Sequence, residues 1–276
     1  PNQSKDGKII ANKPTGGIYI DGNDIWIGSE NELAKYRDNQ LIKLYDLTLS
    51  PFSAPNSQIN AIIRNNDELL LGMSDAGVIC FNPKTNQAKR IKLAQENEAA
   101  YHFYKDNNNK IWIGAESGLY SYQQGSIKKE SSISIQMNNL SVFGICKDQE
   151  NRLWVGSHGD GIFIFNESNE MEGHINTQNG LCDNSVFHLY LDSRGKIWAA
   201  TRDGVACFEN PENPNQVTNY GHEQGLEETF TRAIYEDQSG HIWISTTKGL
   251  TCLEYPLQKF SIYNQYDGVP NGNFSY

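Results

Sequence analysis

Residues 153–165 read LWVGSHGDGIFIF, and variants of the same phrase stand at five other places in the chain. They are IWIGSENELAKY at 25–36, LLLGMSDAGVICF at 69–81, IWIGAESGLYSY at 111–122, IWAATRDGVACF at 197–208 and IWISTTKGLTCL at 242–253. Each has a bulky apolar anchor, a small residue two places on, a polar turn and a short apolar run. The anchors are Trp26, Leu70, Trp112, Trp154, Trp198 and Trp243, separated by 44, 42, 42, 44 and 45 residues. A near-constant period in this range is the signature of a repeat architecture.

Working outward from Trp154, Val142–Lys147 mixes β-branched and aromatic residues and reads as a strand. Asp148–Asn151 is a polar turn, Arg152–Gly156 a second strand and Ser157–Gly161 a turn with two glycines. Ile162–Phe165 is a third strand, and a more polar fourth follows around Glu172–Thr177. No stretch shows sustained helical periodicity. The first turn recurs at Asp21, Asp106, Asp192 and Asp237, where Asp, Asn and Gly supply side-chain-to-backbone bonds and left-handed backbone. Asn65-Asn66-Asp67 is a shorter version. One such four-stranded meander cannot bury both faces, whereas packing against its neighbours does so. The recurring Trp is therefore expected to be inter-blade core, with no ligand role.

Six units are complete. The stretch from Phe260-Ser261-Ile262-Tyr263 to Asp267-Gly268-Val269-Pro270 repeats the connection that elsewhere precedes a first strand, as at Asn219–Leu226 and His174–Leu181. The expectation is an all-β, seven-bladed β-propeller of four-stranded antiparallel blades, its seventh blade barely begun at Tyr276. Lys8–Ala11 is expected to be a strand that helps close the ring. The whole of 1–276 is read as one propeller domain, a segment of a longer polypeptide. Pro14-Thr15-Gly16-Gly17 stands where the first strand of the first blade is expected.

With 23 Lys and Arg against 33 Asp and Glu, the net charge is −10 and the cations do not cluster, which argues against a nucleic-acid surface. No apolar run is long enough to span a membrane. The 5 cysteines include no CxxC pair. Cys80, Cys207 and Cys252 share one register in three blades and point the same way, so Cys80, Cys146, Cys182, Cys207 and Cys252 are expected to be free thiols serving as small apolar residues.

The pattern Y…(D/N/Q)GL…V..I..D..G.IW.(G/A)(T/S)..GL..F, clearest in Asn179–Phe208 and Gln224–Leu253, resembles the two-component regulator propeller repeat. The resemblance extends from Ile18 to Tyr276. It departs from the pattern at Leu70, at Ala200 and Ser245, and in the first blade. The tail FSIYNQYDGVPNGNFSY resembles the run into the last blade of the second propeller in such proteins. The resemblance implies an extracytoplasmic, periplasmic sensor of a hybrid two-component system, signalling to a cytoplasmic histidine kinase. Its implied signal is an oligosaccharide released from a polysaccharide. Its implied partners are a neighbouring propeller, a β-sandwich domain and a second copy in a homodimer.

Catalysis needs convergent titratable groups. His102, His158, His174, His188, His222 and His241 are scattered over different blades, and no HExxH, GxSxG or Walker-type loop is present. Asp106–Asn109 lacks the glycine and glutamate of an EF-hand. Neither a cofactor nor a metal is expected. Binding is the better reading, on the rim where first strands begin and second-to-third-strand turns emerge. The candidates are Tyr101, His102, Phe187, His188 and Arg232 at first-strand starts and His158, Asp160 and Arg202 on turns. Phe274, Glu30, Asp75, Glu116 and Lys248 share this rim. Aromatic faces with hydrogen-bonding neighbours suit sugars, whose rings have apolar faces and polar edges. The alternatives are a carbohydrate-active or quinone-cofactor enzyme propeller and a protein-binding scaffold.

Overall fold

Each anchor of the repeated phrase lies in the second strand of a four-stranded antiparallel sheet whose strands pair in chain order. The computed structural model describes residues 15–267 and 269, apart from 55, 215 and 255–258. Among them are six such sheets, here blades 1 to 6, at 15–46, 59–91, 100–129, 142–175, 186–220 and 231–263.

The expected seven-bladed count is therefore corrected to six. Lys259–Tyr263, read from sequence as the lead-in to another blade, is the fourth strand of blade 6 and pairs Leu250 with Tyr263. Val217–Tyr220 and Met171–Ile175 are the corresponding fourth strands of blades 5 and 4. Outer strands are polar and half-exposed, so their composition is close to that of a loop. Lys8–Ala11 and the run after Val269 lie outside the described residues.

The described residues fall into two compact units, one ending at Lys129 with blades 1–3 and one starting at Glu130 with blades 4–6. Within each unit, the anchor-bearing face of one blade packs on the aliphatic face of the next. In the first unit Trp26, Leu33 and Tyr45 meet Ile59, Ile62, Leu69, Leu71 and Phe81. In the second, Trp198, Val205 and Tyr220 meet Ile234, Ile242, Ile244 and Leu253. The first strands of successive blades also touch within a unit. Trp198 is fully buried, and truncating such a ring to Ala costs about 3–5 kcal/mol. Trp26, Trp112, Trp154 and Trp198 are buried, as expected of core, whereas Trp243 is only half-buried.

The turn before each anchor does more than reverse the chain. Nε1–H of Trp112, Trp154, Trp198 and Trp243 donates to Oδ2 of the Asp six residues earlier, at 3.0, 2.8, 3.0 and 2.8 Å. The other oxygen of each carboxylate accepts two backbone N–H groups of its own turn, as with Glu150 and Arg152 on Asp148. Asn109, Asn151, Gly195 and Gly240 supply the positive φ that the turn requires. In blade 1 the turn is one residue shorter. Asp21 is instead bound by Arg64, and Trp26 Nε1 is buried without a hydrogen-bond partner. Trp26 stacks on Tyr45 at 6.1 Å.

The glycines at 16 and 17 do not prevent a strand: Thr15–Asp21 pairs with Asp24–Ser29. They permit close approach, because a Cβ on Gly16 would lie 2.1 Å from the Ile59 carbonyl oxygen. A six-residue helix, Ser131–Gln136, precedes blade 4 and is too short to show a period in the sequence.

Four cysteines, Cys80, Cys146, Cys207 and Cys252, are buried, Cys182 is half-buried, and all five are free.

Candidate ligand-recognition site

All six first strands begin with the same irregularity. One or two residues drop out of the ladder near the start of the strand: Gly16 and Gly17, Asn60, Tyr101, Phe143, Phe187 and Arg232. A β-bulge leaves its extra residue unpaired and re-aims the side chain. In blades 2 to 6 the period therefore places one side chain outside the ladder at the same end of the sheet. That is the end from which the second-to-third-strand turns also emerge.

Within the second unit these side chains meet. Phe143 and Phe187 lie 6.0 Å apart edge to face, and Phe187 and Phe230 lie 5.5 Å apart. His158, from the blade 4 turn, stands 5.7 Å from Phe143 and 6.3 Å from Phe187. The Arg232 guanidinium carbon lies 4.4 and 4.5 Å from the ring centres of Phe187 and Phe230. Such cation–π contacts hold the guanidinium plane in place, each contributing about 0.5–2 kcal/mol. Phe143, Phe187, Phe230 and Arg232 are half-buried, and His158 is exposed.

Backbone bonds from the turns to the segments that lead into first strands fix this arrangement. His158 N–H donates to Ser141, while Gly159 and Gly161 N–H both donate to the Asn184 carbonyl of the segment leading into blade 5. Gly204 of the blade 5 turn donates to Thr229, at 2.7 Å. The first unit repeats the device, with Asn31 donating to Ser57 and Gly77 to Glu98.

The expected site residues separate into three groups. His158, Phe187 and Arg232 join one cluster. Asp160 and Arg202 sit on neighbouring turns with partners of their own. The carbonyl oxygen of Asp160 lies 2.7 Å from His174 Nε2, and its carboxylate 3.4 Å from the same atom. Arg202 Nε is 3.9 Å from the Asp183 carboxylate. So Asp160 works with His174, whose ring lies flat on Phe163 at 4.2 Å, rather than with its sequence neighbour His158. His188 follows the bulge, and its Nδ1 accepts the Ile234 N–H at 3.3 Å, linking blades 5 and 6. Burial lowers its pKa to about 4, so it is neutral at pH 7. Tyr101 and His102 hold the bulge and post-bulge places of blade 3, in the first unit. Burial, followed by the charges of Glu116 and Glu98, raises the Tyr101 hydroxyl pKa. Phe274 lies outside the described residues.

Phe143, Phe230 and Asn60 were not among the sequence candidates. Phe143 precedes Gly144 as Phe187 precedes His188, so laying the first strands over one another places it in the set. Phe230 lies just ahead of its strand and is reached only through Arg232. Among the described residues no group of His, Cys, Asp or Glu forms a metal-binding cluster.

The sequence model of the two-component regulator propeller matches residues 136–159, 180–203 and 225–248. Each match runs through the first hairpin of blade 4, 5 or 6 into the turn that follows. The chain carries two-component regulator propeller repeats. In blades 4 to 6 these repeats hold the bulges, the anchors and the turns described above. No curated protein matches the sequence. Among solved structures, the extracellular domain assigned to the hybrid two-component system BT3049 of B. thetaiotaomicron is similar at 27% identity and a TM-score of 0.85. That likeness covers 96% of this chain and 36% of the other, so this chain spans little more than a third of its length. The extracellular domain assigned to BT4673 of the same organism shares 20% identity, with a TM-score of 0.56, over 90% of this chain and 41% of that one. Virginiamycin B lyase from Staphylococcus aureus has a TM-score of 0.71 at 14% identity, over 91% of this chain and 84% of the lyase. At their identities the last two show the fold alone.

Proposed function

We propose that this chain is an extracytoplasmic, periplasmic sensing region of a hybrid two-component receptor, and that it recognises an oligosaccharide at the bulge end of its blades. The observation that carries the reading is the Phe143–Phe187–Phe230 cluster with Arg232 and His158, set at bulged strand starts within the family's repeats. Half-buried rings offer apolar faces to the C–H faces of a sugar. The imidazole, guanidinium and nearby carboxylates offer hydrogen bonds to its hydroxyls. The likeness to the BT3049 extracellular domain supports the receptor context.

In this reading the segment binds and does not catalyse. Ligand binding favours one arrangement of a paired receptor over another, and the difference in affinity between the two arrangements is the signal that reaches a cytoplasmic histidine kinase. Neighbouring propeller and β-sandwich domains and a homodimeric receptor complete the arrangement. Titration calorimetry against an oligosaccharide panel, with chromatography of the sugar afterwards, tests it. Saturable binding with the sugar recovered intact is the expected result. Turnover of the sugar by the purified protein, or no binding across the panel, overturns it.

A further inference from the structure

We propose that His188 is a positioning residue: its imidazole spaces the first strands of blades 5 and 6 and thereby holds Arg232 over Phe187. Only in calling that place a ligand site does the proposal rest on the sensing reading above. Three equivalent places reveal the role. Gly144, His188 and Ala233 follow the bulge residues of blades 4, 5 and 6 and pair with Gly156, Ala200 and Ser245. At Gly144 the strands of blades 4 and 5 meet closely, because a Cβ there would lie 2.9 Å from the Leu189 nitrogen. Ile234 holds in blade 6 the place of Leu189 in blade 5, one residue before the partner of the anchor Trp. Its N–H meets no glycine but the imidazole of His188, whose Nδ1 accepts it at 3.3 Å. The ring therefore stands where blades 4 and 5 leave no room for a side chain. Accepting that bond fixes the tautomer, with the hydrogen on Nε2. Burial lowers the pKa of His188 to about 4, so Nδ1 keeps its lone pair at pH 7.

The same two strands are joined a second time, in the opposite sense. His188 reaches from blade 5 to the backbone of blade 6, and Arg232 reaches from blade 6 to the ring of Phe187, 4.4 Å away. Phe187 is the chain neighbour of His188, and Arg232 stands two residues before Ile234, so the two contacts close a loop around both bulges. Between Arg232 and Ile234, the Ala233 N–H donates to Ser245 Oγ at 2.9 Å. The two amides that follow Arg232 are thus both held by side chains. Strand spacing passes through them to the guanidinium. That group carries its N–H donors in a rigid fork, so the tilt and place of its plane decide which acceptors it meets. An acceptor that also fills space is what this position needs, and a neutral imidazole supplies both.

Three variants of the full chain test the role, read by crystallography and by hydrogen exchange of the Ile234 amide. His188→Gly, which copies blade 4, is expected to let the strands close and to carry the Arg232 guanidinium beyond about 6 Å from the Phe187 ring centre, outside cation–π reach. His188→Leu keeps a spacer without an acceptor and is expected to speed Ile234 exchange about fivefold. His188→Asn sets an oxygen near the place of Nδ1 and is expected to keep both the slow exchange and the Arg232 contact. Arg232 still over Phe187 in His188→Gly, or an asparagine variant that behaves like the glycine one, overturns the positioning role. Should His188→Gly fail to fold, the leucine and asparagine variants decide, and equal Ile234 exchange in the two overturns it. Calorimetry with maltohexaose, cellohexaose, xylohexaose and hexagalacturonate separates this from the sensing reading. A hexasaccharide that binds the unaltered chain is expected to lose about tenfold in affinity with His188→Gly and to keep it with His188→Asn. Unchanged affinity in His188→Gly counts against the positioning role alone. No binding by the unaltered chain overturns the sensing reading, while the Arg232 and Ile234 measurements still decide the role of His188.

Discussion

The indole N–H of Trp198 donates to Oδ2 of Asp192 over 3.0 Å, six residues back across a turn. The same carboxylate also holds Arg194 and the backbone N–H groups of Arg194 and Lys196. In blade 1 the equivalent indole, Trp26, has no such partner. Trp198→Phe should therefore destabilise the protein by about 1.5–3 kcal/mol more than Trp26→Phe, the net worth of a hydrogen bond to a charged group. Urea unfolding of the two variants measures the difference, and equal losses would contradict it.

Asp192→Ala should cost more, about 2–4 kcal/mol, because it leaves the Trp198 N–H and two turn amides without their acceptor. Unfolding at pH 7 checks this, and a loss below about 1 kcal/mol would count against a structural role for the turn.

Acid should weaken the fold in two stages. The pKa of His188 falls from 6.5 to about 4 on burial. The unfolded chain therefore binds a proton that the folded chain refuses between those values, and stability declines as pH drops from 6.5 towards 4. The loss is about 1–3 kcal/mol, since one pKa unit corresponds to about 1.4 kcal/mol. The Asp192 pKa is raised by burial but lowered further by bonds from Trp198, Lys196 and Arg194, so its net shift is downward from 3.8. Its contribution is present above 3.8 and disappears only below it. His188→Asn should remove the first stage and keep the second, as read by urea midpoints from pH 7 to 3.

Gly161→Ala should be far worse than Gly159→Ala. Both have positive φ, +79° and +107°. A Cβ on Gly161 would stand 2.1 Å from the Ile175 carbonyl oxygen, whereas one on Gly159 meets nothing within 4 Å. The expected costs are above about 2 kcal/mol and about 1–2 kcal/mol respectively. Thermal melting of both variants provides the comparison.

The thiols should be silent in the folded state. Burial raises the pKa of Cys207 to about 12 and that of Cys80 to about 11, and also raises those of Cys146, Cys182 and Cys252. Thiolate is the reactive form. At pH 8 a disulfide reagent should titrate at most Cys182 in native protein and all five thiols in guanidinium. Rapid native labelling of two or more would contradict the packing.

The blade was legible because its period, its Asp-rich turns and its Trp anchors are local. Trp154 and Asp148 stand six apart in the sequence before they stand 2.8 Å apart in space. The blade count was misjudged at Lys259–Tyr263, since an outer strand is half-exposed and reads like a connection. The bulges were hidden because register belongs to a pair of strands. Nothing in Val142-Phe143-Gly144 says that Val142 pairs with Ser157 and Gly144 with Gly156, leaving Phe143 out. Pairing also decides the partner of Asp160, because the fourth strand brings His174 to it.

In blades 3 to 6 each first hairpin is held at one end and permissive at the other. The Asp–Trp bond fixes the turn, while the bulge opposite it takes one side chain out of the ladder. The residues at 101, 143, 187 and 232 therefore stand outside the backbone bonds that align the strands, so blades can differ there while their frame stays common.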